Sequence, residues 1–211
     1  MRFRAAEPEA LEARYRARLF NSASGMRTAV LIGTKSKSGN ENLAIFSNIF
    51  HVGANPPLIG FIMRPINRER HTYKNISDTG YFTVNHIPFR AHAAAHQTSA
   101  KYPEDRSEFE ACGFDPEYTD GFFAPFCADS PVRSGCRLEY ETEIPVNGTR
   151  LIVGRILLLE AEDHCTADDG FIDLAKAGVT AVTGLDAYHT VSPPKRYAYA
   201  EPDRDPKSLH P

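Results

Sequence analysis

Residues 42–72, NLAIFSNIFHVGANPPLIGFIMRPINRERHT, decide the fold. Two apolar runs, Leu43–Val52 and Leu58–Met63, are separated by a pair of prolines, which predicts two strands joined by a turn. The second run is almost purely apolar, as expected of a strand that is buried on both faces. The apolar spacing after Thr72 predicts a helix that ends at Gly80.

Basic and hydroxyl side chains gather where the second strand ends and this helix begins. They are Arg64, Arg68, Arg70, His71 and Thr72. The first turn of a helix has unpaired N–H groups and the positive end of the helix dipole, so it suits a phosphate. The dipole contributes only about 0.3–1 kcal/mol, so the arginines must supply much of the charge neutralisation. The pattern predicts a nucleotide-like cofactor across the two strands, with its phosphate in this basic segment and with Ser47 and Asn48 contacting the rest of it.

An ordered series of motifs resembles the flavin reductase-like family over about residues 18–165. The motifs are NLAIFS, NPPL, RPINRERHTYKNI, TGYFTVNHI, AHQTSAKYP and EFEACGFDPEY. The resemblance implies an FMN-binding split β-barrel: mostly β, antiparallel and of Greek-key type, with flanking helices. It also implies a homodimer that binds FMN non-covalently at the dimer interface.

The resemblance further implies which residues contact the flavin. Backbone groups of the first strand would meet the polar edge of the ring. Phe46 or Ile45 would stack beneath the ring, although a plain core role is equally open for each. The segment that begins at Thr98 would approach the flavin, the alternative for Ser99 being a helix cap. The expected cofactor-binding residues are Ala44, Ile45, Phe46, Ser47, Asn48, Arg64, Arg70, His71, Thr72, Ser99, Ala100 and Lys101.

Two parts of this site stay open. The loop before His71 is longer than is common in the family, so the sequence does not choose among Arg64, Arg68 and Arg70 as the arginine that faces the phosphate. The C-terminal part commonly crosses to the other subunit in this family. Three residues there are therefore candidate contacts to the cofactor of the dimer mate: Asp186, Tyr188 and His189.

The composition fits one globular domain with tails. The chain has 211 residues, of which 42% are hydrophobic and 24% are charged. We expect an N-terminal amphipathic helix in residues 1–24, a split-barrel domain in residues 25–190 and a C-terminal tail in residues 191–211. A net charge of −3 gives no indication of nucleic-acid binding. No signal peptide or membrane-spanning run is recognisable, so a cytoplasmic location is expected.

Several other chemistries lack their residue patterns. The four cysteines form no CxxC pair, which favours reduced thiols in or near the core. His92 and His96 lie one helical turn apart but have no third ligand, so no metal is expected. No catalytic triad or paired carboxylates stand out, and we expect the flavin to carry the chemistry. Because no GxGxxG follows a strand, NADH or NADPH would bind transiently.

The remaining elements are read from local signals. A first strand is predicted at Met26–Thr34, followed by a Gly39-Asn40 turn with positive φ angles. The strand Tyr81–Ile87 contains His86 near its end, interpreted as a hydrogen-bonded histidine. A capping box is predicted at Ser107 and Glu110. The clearest hairpin follows Cys136: Asn147-Gly148 predicts a two-residue type I′ turn, and the second arm is expected to be buried on both sides at Ile156–Leu159.

Taken with the resemblance, these patterns predict an FMN-dependent NAD(P)H:flavin oxidoreductase. Hydride would pass to flavin N5, and the electrons would go to a downstream acceptor, with a monooxygenase as a candidate partner. One alternative is a split-barrel enzyme that uses a resident flavin on a small molecule. Another is a flavin-binding module without turnover. The sequence does not name the final acceptor or choose between NADH and NADPH.

Overall fold

The computed structural model describes residues 10–66 and 70–209, which form twelve strands and four α-helices. The helices are α1 (Ala13–Ala23), α2 (His71–Thr79), α3 (His92–Gln97) and α4 (Glu108–Cys112). The strands are β1 (Met26–Thr28), β2 (Val30–Lys35), β3 (Glu41–Phe46), β4 (Ile49–Ala54), β5 (Pro57–Met63), β6 (Tyr81–His86), β7 (Pro116–Glu117), β8 (Phe126–Cys127), β9 (Val132–Ile144), β10 (Thr149–Ala161), β11 (Thr180–Thr183) and β12 (Ala187–Thr190). Residues 1–9 of the predicted N-terminal segment, Arg68 and the last two residues of the predicted tail lie outside the described residues.

Seven strands form one antiparallel sheet in the order β3-β2-β6-β9-β10-β5-β4. Strands β3 and β4 lie at opposite edges of this sheet, yet only Ser47 and Asn48 separate them in the chain. Two residues can join opposite edges only if the sheet curls until the edges meet, which makes a barrel that stays open between β3 and β4. The prediction of a mostly β, antiparallel split barrel with flanking helices is confirmed.

The run Leu43–Val52, predicted as one strand, is two strands. The break at Ser47-Asn48 is the place where the chain leaves its pairing with β2 and begins to pair with β5. The run Met26–Thr34 is divided in the same way, because β1 pairs with β11 in a separate three-stranded sheet. Both runs were wrongly predicted as single strands, because the apolar pattern stays the same where the strand changes its pairing partner.

Two apolar clusters lie on the two faces of β2. Val30 and Ile32 point into the barrel, where Phe61 packs edge-on against Phe46 and Phe82 with ring centroids 5.2 and 5.6 Å apart. Ala29 and Leu31, at the next positions, face the second cluster, which α3 and α4 cover. This alternation fixes which face of each strand is inside the barrel.

Helix α2 agrees with the sequence prediction. It ends at Gly80, whose φ of 78° is the left-handed conformation that glycine adopts readily at a helix C-terminus. Ile76 is fully buried in the barrel cluster, so α2 closes one end of the barrel. The predicted hairpin arms β9 and β10 are also confirmed.

Three local predictions were wrong. Asn147-Gly148 is not a two-residue turn: Ile144 pairs with Thr149, which leaves a four-residue loop in which Gly148 alone has a positive φ. In the loop between β2 and β3, Gly39 has a positive φ of 97° and Asn40 does not. In β10, Leu157 and Leu159 are 48% and 53% exposed rather than buried. In each case a local sequence pattern was used to predict a feature that the rest of the structure decides.

Other local predictions fared better. Of the predicted capping box, the Ser107 half is confirmed: Ser107 is the N-cap of α4 and accepts a hydrogen bond from the Phe109 N–H, while no bond from Glu110 back to Ser107 is present among the described residues. Cys127, Cys136 and Cys165 are buried, Cys112 is half-buried, and none forms a disulfide. Within residues 10–66 and 70–209, no helix is long and apolar enough to cross a membrane.

Candidate functional site

The candidate site is built along the free edge of strand β3. Strand β3 pairs with β2 on one side only, so alternate N–H groups point away from the sheet. Two of these groups are taken by side chains: the Leu43 N–H donates to Glu108 Oε2 and the Ile45 N–H donates to Thr98 Oγ1, each at 3.0 Å. The sequence predicted that backbone groups of this strand would bond to the polar edge of a flavin ring. The Ile45 N–H cannot do so in this arrangement, because it is already bonded to Thr98.

Glu108 is a buried carboxylate beside this edge. Burial raises the pKa of Glu108, while the hydrogen bond from the Leu43 N–H and the nearby His71 oppose the rise. The side chain joins α4 to β3, and its first role is to hold the edge strand in place. No pattern in the sequence marked Glu108 for this contact, because its partner is 65 positions away.

The N-terminus of α2 lies beside one end of β3. Arg70, the residue before the helix, makes no side-chain capping bond, and the first turn contains no acidic residue. Thr72 is only 5% exposed, and its Oγ1 accepts a hydrogen bond of 3.0 Å from Asn42 Nδ2. Asn42 and Asn75 both also donate to Thr34 Oγ1, so four buried polar side chains form one network beneath the helix.

The basic side chains of this segment point in different directions. Arg70 Nε donates to the Pro65 carbonyl at 3.2 Å, which ties Arg70 to the loop after β5. His71 instead lines a narrow cleft with Asn42, Glu104, Arg106 and Glu108. Arg64 is exposed at the end of β5. The structure therefore groups His71 with Thr72 and Asn42, and it turns the Arg70 side chain toward Pro65.

Ser47 and Asn48 lie at the split between the barrel edges. Asn48 is exposed, its carbonyl accepts from the Ile62 N–H at 3.1 Å, and its Oδ1 accepts from Arg27 at 3.0 Å. Ser47 is half-buried, and no hydrogen bond is recorded for it within the described part of the chain. Both residues are at the opposite end of β3 from Thr72.

Phe46 and Ile45 have core contacts on opposite faces of β3. Phe46 packs against the barrel cluster and Ile45 against the outer cluster, as neighbouring strand residues must. Both are half-buried, and so is Ala44. Each of the two therefore has a core role, and the exposed part of each stays available to a ligand.

The segment after α3 runs beside the same edge. Thr98 is buried and bonds to Ile45, whereas Ser99, Ala100 and Lys101 are exposed. The Ser99 and Ala100 N–H groups donate to carbonyls of α3 and continue its last turn. Because Thr98 is bonded to Ile45, the three exposed residues that follow Thr98 begin near β3.

Of the three C-terminal candidates, Tyr188 lies against α3 of the same chain. Tyr188 packs on the outer cluster, and its hydroxyl is 2.8 Å from His96 Nδ1. His92 stacks on Phe89 and has its Nδ1 2.7 Å from the Phe89 carbonyl. Asp186 and His189 are exposed. Across residues 10–66 and 70–209, no group of three His, Cys, Asp or Glu side chains could hold a metal ion.

The donor groups of this site fit an elongated ligand with one anionic end. The uncapped start of α2 and the His71 side chain lie at one end of β3, beside Asn42. The Asn48 amide lies beyond the other end of β3, six positions after Asn42 and therefore at most about 20 Å away at a strand rise of about 3.3 Å. This order of groups suits an elongated ligand whose anionic end lies near α2 and whose polar end lies near Asn48.

Comparisons with known proteins identify the family and the fold. Residues 23–172 match the model of the flavin reductase like domain, which is more than two thirds of the chain. The chain belongs to the flavin reductase-like family. A solved structure from Shewanella frigidimarina, described as a flavin reductase with a split barrel domain, is 44% identical, has a TM-score of 0.90, and is matched over 95% of this chain and 100% of the other.

Two more distant structures of the same fold are also similar to this flavin reductase-like chain. Nitrilotriacetate monooxygenase component B from Bacillus cereus is 21% identical with a TM-score of 0.80, over 93% of this chain and 99% of the other. The 2-nitrobenzoate 2-nitroreductase NbaA from Pseudomonas fluorescens is 20% identical with a TM-score of 0.79, over 98% and 99%. At these identities the likeness concerns the fold alone.

Sequence reasoning missed several residues that build this site. Asn42, Asn75 and Thr34 support Thr72, and Glu108 covers the edge of β3. Arg27 was also missed, although it contacts the predicted site residue Asn48. All of these contacts except the one between Thr34 and Asn42 join residues at least 21 positions apart, so no local pattern could have revealed them.

Proposed function

We propose that this chain is an FMN-dependent NAD(P)H:flavin oxidoreductase. The observation that carries the proposal is the order of groups along β3. An uncapped helix start with basic side chains lies at one end and an exposed amide at the other, in a chain of the flavin reductase-like family. A nicotinamide would be the hydride donor, NADH or NADPH, bound only transiently.

The residues of the site would hold and orient FMN. Bound FMN supplies the ring that accepts hydride and passes electrons on, so the protein needs no acid or base of its own. Arg64, Arg70 and His71 would neutralise phosphate charge, with Thr72 and the first N–H groups of α2 as hydrogen-bond donors. Asn48 and Ser47 would bond to the polar parts of the ring or ribityl chain. Ser99, Ala100 and Lys101 would flank the ligand from the α3 side.

The site would be completed by a homodimer. Helix α1 has no buried residue, and Tyr15 and Phe20 on it are each 45% exposed. An amphipathic helix that has no fully buried residue within its own chain is expected to cover a partner. The reduced flavin would then serve a downstream acceptor. The fold likeness to a monooxygenase component B supports a monooxygenase as that partner. The predicted cytoplasmic location belongs to the same proposal.

A second candidate is an enzyme that keeps FMN bound and reduces a small molecule directly. The fold likeness to a 2-nitrobenzoate 2-nitroreductase favours keeping this candidate. The two candidates differ in whether free flavin is a substrate.

Steady-state oxidation of NADH and NADPH, measured with increasing free FMN, tests the proposal. A reductase that releases reduced flavin should saturate with added FMN. A rate that depends on nicotinamide but not on FMN beyond one equivalent would favour the second candidate. No oxidation of either nicotinamide with any flavin would contradict both and leave a binding module.

A further inference from the structure

Arg27 in β1 joins three separate parts of the chain. Its Nη1 donates to Asn48 Oδ1 at 3.0 Å and to Ser24 Oγ at 2.8 Å. Its Nη2 donates to the Gly184 carbonyl at 3.0 Å and to the Asn21 carbonyl at 3.3 Å. One guanidinium therefore links the end of α1, the turn between β11 and β12, and the Ser47-Asn48 connection at the split of the barrel.

This contact fixes the orientation of the Asn48 amide. A guanidinium has donors and no acceptor, so the amide oxygen must face Arg27. The Asn48 NH₂ group then points away from Arg27 and has no hydrogen-bond partner within residues 10–66 and 70–209. A hydrogen bond from a charged donor also polarises the amide, which makes its N–H groups better donors.

The arginine is not fully satisfied by its own surroundings. Its Nε is buried and has no hydrogen-bond partner among the described residues. An unpaired buried donor costs free energy, which the four hydrogen bonds of the two terminal nitrogens offset. One of those four bonds reaches Asn48, so the guanidinium couples the end of α1 and the β11–β12 turn to the candidate site.

We propose that Arg27 is a positioning residue: it holds the Asn48 amide so that its NH₂ group donates to a carbonyl or ring nitrogen at the polar edge of the flavin. The inference rests on the proposed function, because it needs flavin to lie beside Asn48. It adds to that function a residue outside every motif by which the chain resembles its family. It also places a fixed positive charge behind the ring edge.

A double-mutant cycle on FMN affinity tests this role. The proteins are the wild type, Arg27→Met, Asn48→Ala and the double variant. Arg204→Gln is the control, since Arg204 is paired with Glu201 on the exposed tail. Each single variant should raise the FMN dissociation constant about tenfold, as expected for one lost hydrogen bond. The double variant should lose no more than a single one, because both changes remove the same contact.

Asn48→Asp separates positioning from folding. Aspartate still accepts from Arg27, so the link is kept, but the NH₂ donor is gone. We expect this variant to retain its melting temperature, to lose FMN affinity about tenfold, and to shift the visible band of the bound flavin, which responds to hydrogen bonds at the ring. This variant keeps the inference testable even if Arg27→Met fails to fold.

The outcomes distinguish the two claims. If the wild type binds no FMN, the proposed function fails. If the wild type binds FMN but the losses of the two single variants multiply in the double variant, Arg27 acts independently of Asn48 and the inference is overturned. FMN affinity and a visible band in Asn48→Asp equal to those of the wild type would overturn it as well.

Discussion

The Thr72 hydroxyl group has two roles: it takes part in a buried hydrogen-bond network of the fold, and it is a proposed phosphate ligand. Its Oγ1 accepts from Asn42, so its own O–H remains able to donate. The network of Thr34, Asn42 and Asn75 fixes the side chain beneath the first turn of α2. A preorganised donor at a helix N-terminus is the kind of group that binds phosphate well.

Thr72→Val tests this donor with little change of volume. The FMN dissociation constant should rise about tenfold, while stability falls by about 1 kcal/mol through the lost bond to Asn42. Isothermal titration and thermal unfolding measure the two effects. Thr79→Val is the matched control, because Thr79 lies at the far end of α2 and donates to the Asn75 carbonyl. Equal affinity in wild type and Thr72→Val would remove Thr72 from the site.

His86 differs from the interpretation as a hydrogen-bonded strand-end histidine. Its Nδ1 is buried and has no partner among the residues described, and burial lowers the pKa of His86 to about 4. An unfolded histidine has a pKa of about 6.5, so below that pH the unfolded state binds the proton more readily than the folded state. Stability is therefore present above pH 6.5 and is lost as the pH falls toward 4.

His86→Phe should remove this pH dependence. Between pH 7 and pH 4.5 the wild type should lose about 1–3 kcal/mol more stability than the variant. Urea unfolding of both proteins at the two pH values measures the difference. Parallel losses in the two proteins would show that His86 is protonated in the fold as easily as in the unfolded chain.

At the scale of elements, the tight packing of β2 limits what the barrel tolerates. A Cβ added at Gly33 would lie 2.3 Å from the Pro125 carbonyl oxygen and 2.5 Å from Thr83 Oγ1. Backbone cannot move aside as a flexible side chain can, so β2 or the segment before β8 would have to shift.

Gly33→Ala should destabilise the protein by about 1–3 kcal/mol. Gly53→Ala in β4 is the matched control, since its added Cβ would meet only the Pro56 oxygen, at 3.6 Å. That control should stay within about 0.5 kcal/mol of the wild type. Chemical unfolding of both variants checks this, and similar stabilities would mean that the approach of Pro125 to β2 is looser than described.

The elements also explain what the sequence could predict. Helix α2 was predictable because its apolar spacing and its Gly80 stop are local signals. The break at Ser47-Asn48 was not, because β3 and β4 have the same strand pattern and differ only in the strand with which each pairs. The basic segment was found from composition, but the divergence of Arg70 and His71 depends on Pro65 and on α4. Arg27 and Glu108 act over distances in sequence that no periodicity encodes.

At the scale of the whole molecule, helix α1 has no fully buried residue within the single chain, and its apolar stripe is the expected dimer surface. Replacing Tyr15 and Phe20 by Glu would put two charges on its apolar stripe, and a buried unpaired charge is strongly unfavourable. We expect this double variant to be monomeric and the wild type dimeric in light scattering coupled to size exclusion. Val146→Glu is the control, because Val146 is 95% exposed at a hairpin tip. A monomeric wild type would contradict the dimer.

The most direct test of the flavin reductase proposal is an anaerobic titration of the FMN-reconstituted protein with NADH and with NADPH. Visible absorbance reports the oxidised flavin throughout. We predict that at least one nicotinamide bleaches the flavin band stoichiometrically, and the order of addition then gives the preference. A protein that retains no FMN, or whose bound flavin stays oxidised with both nucleotides, would contradict the proposal.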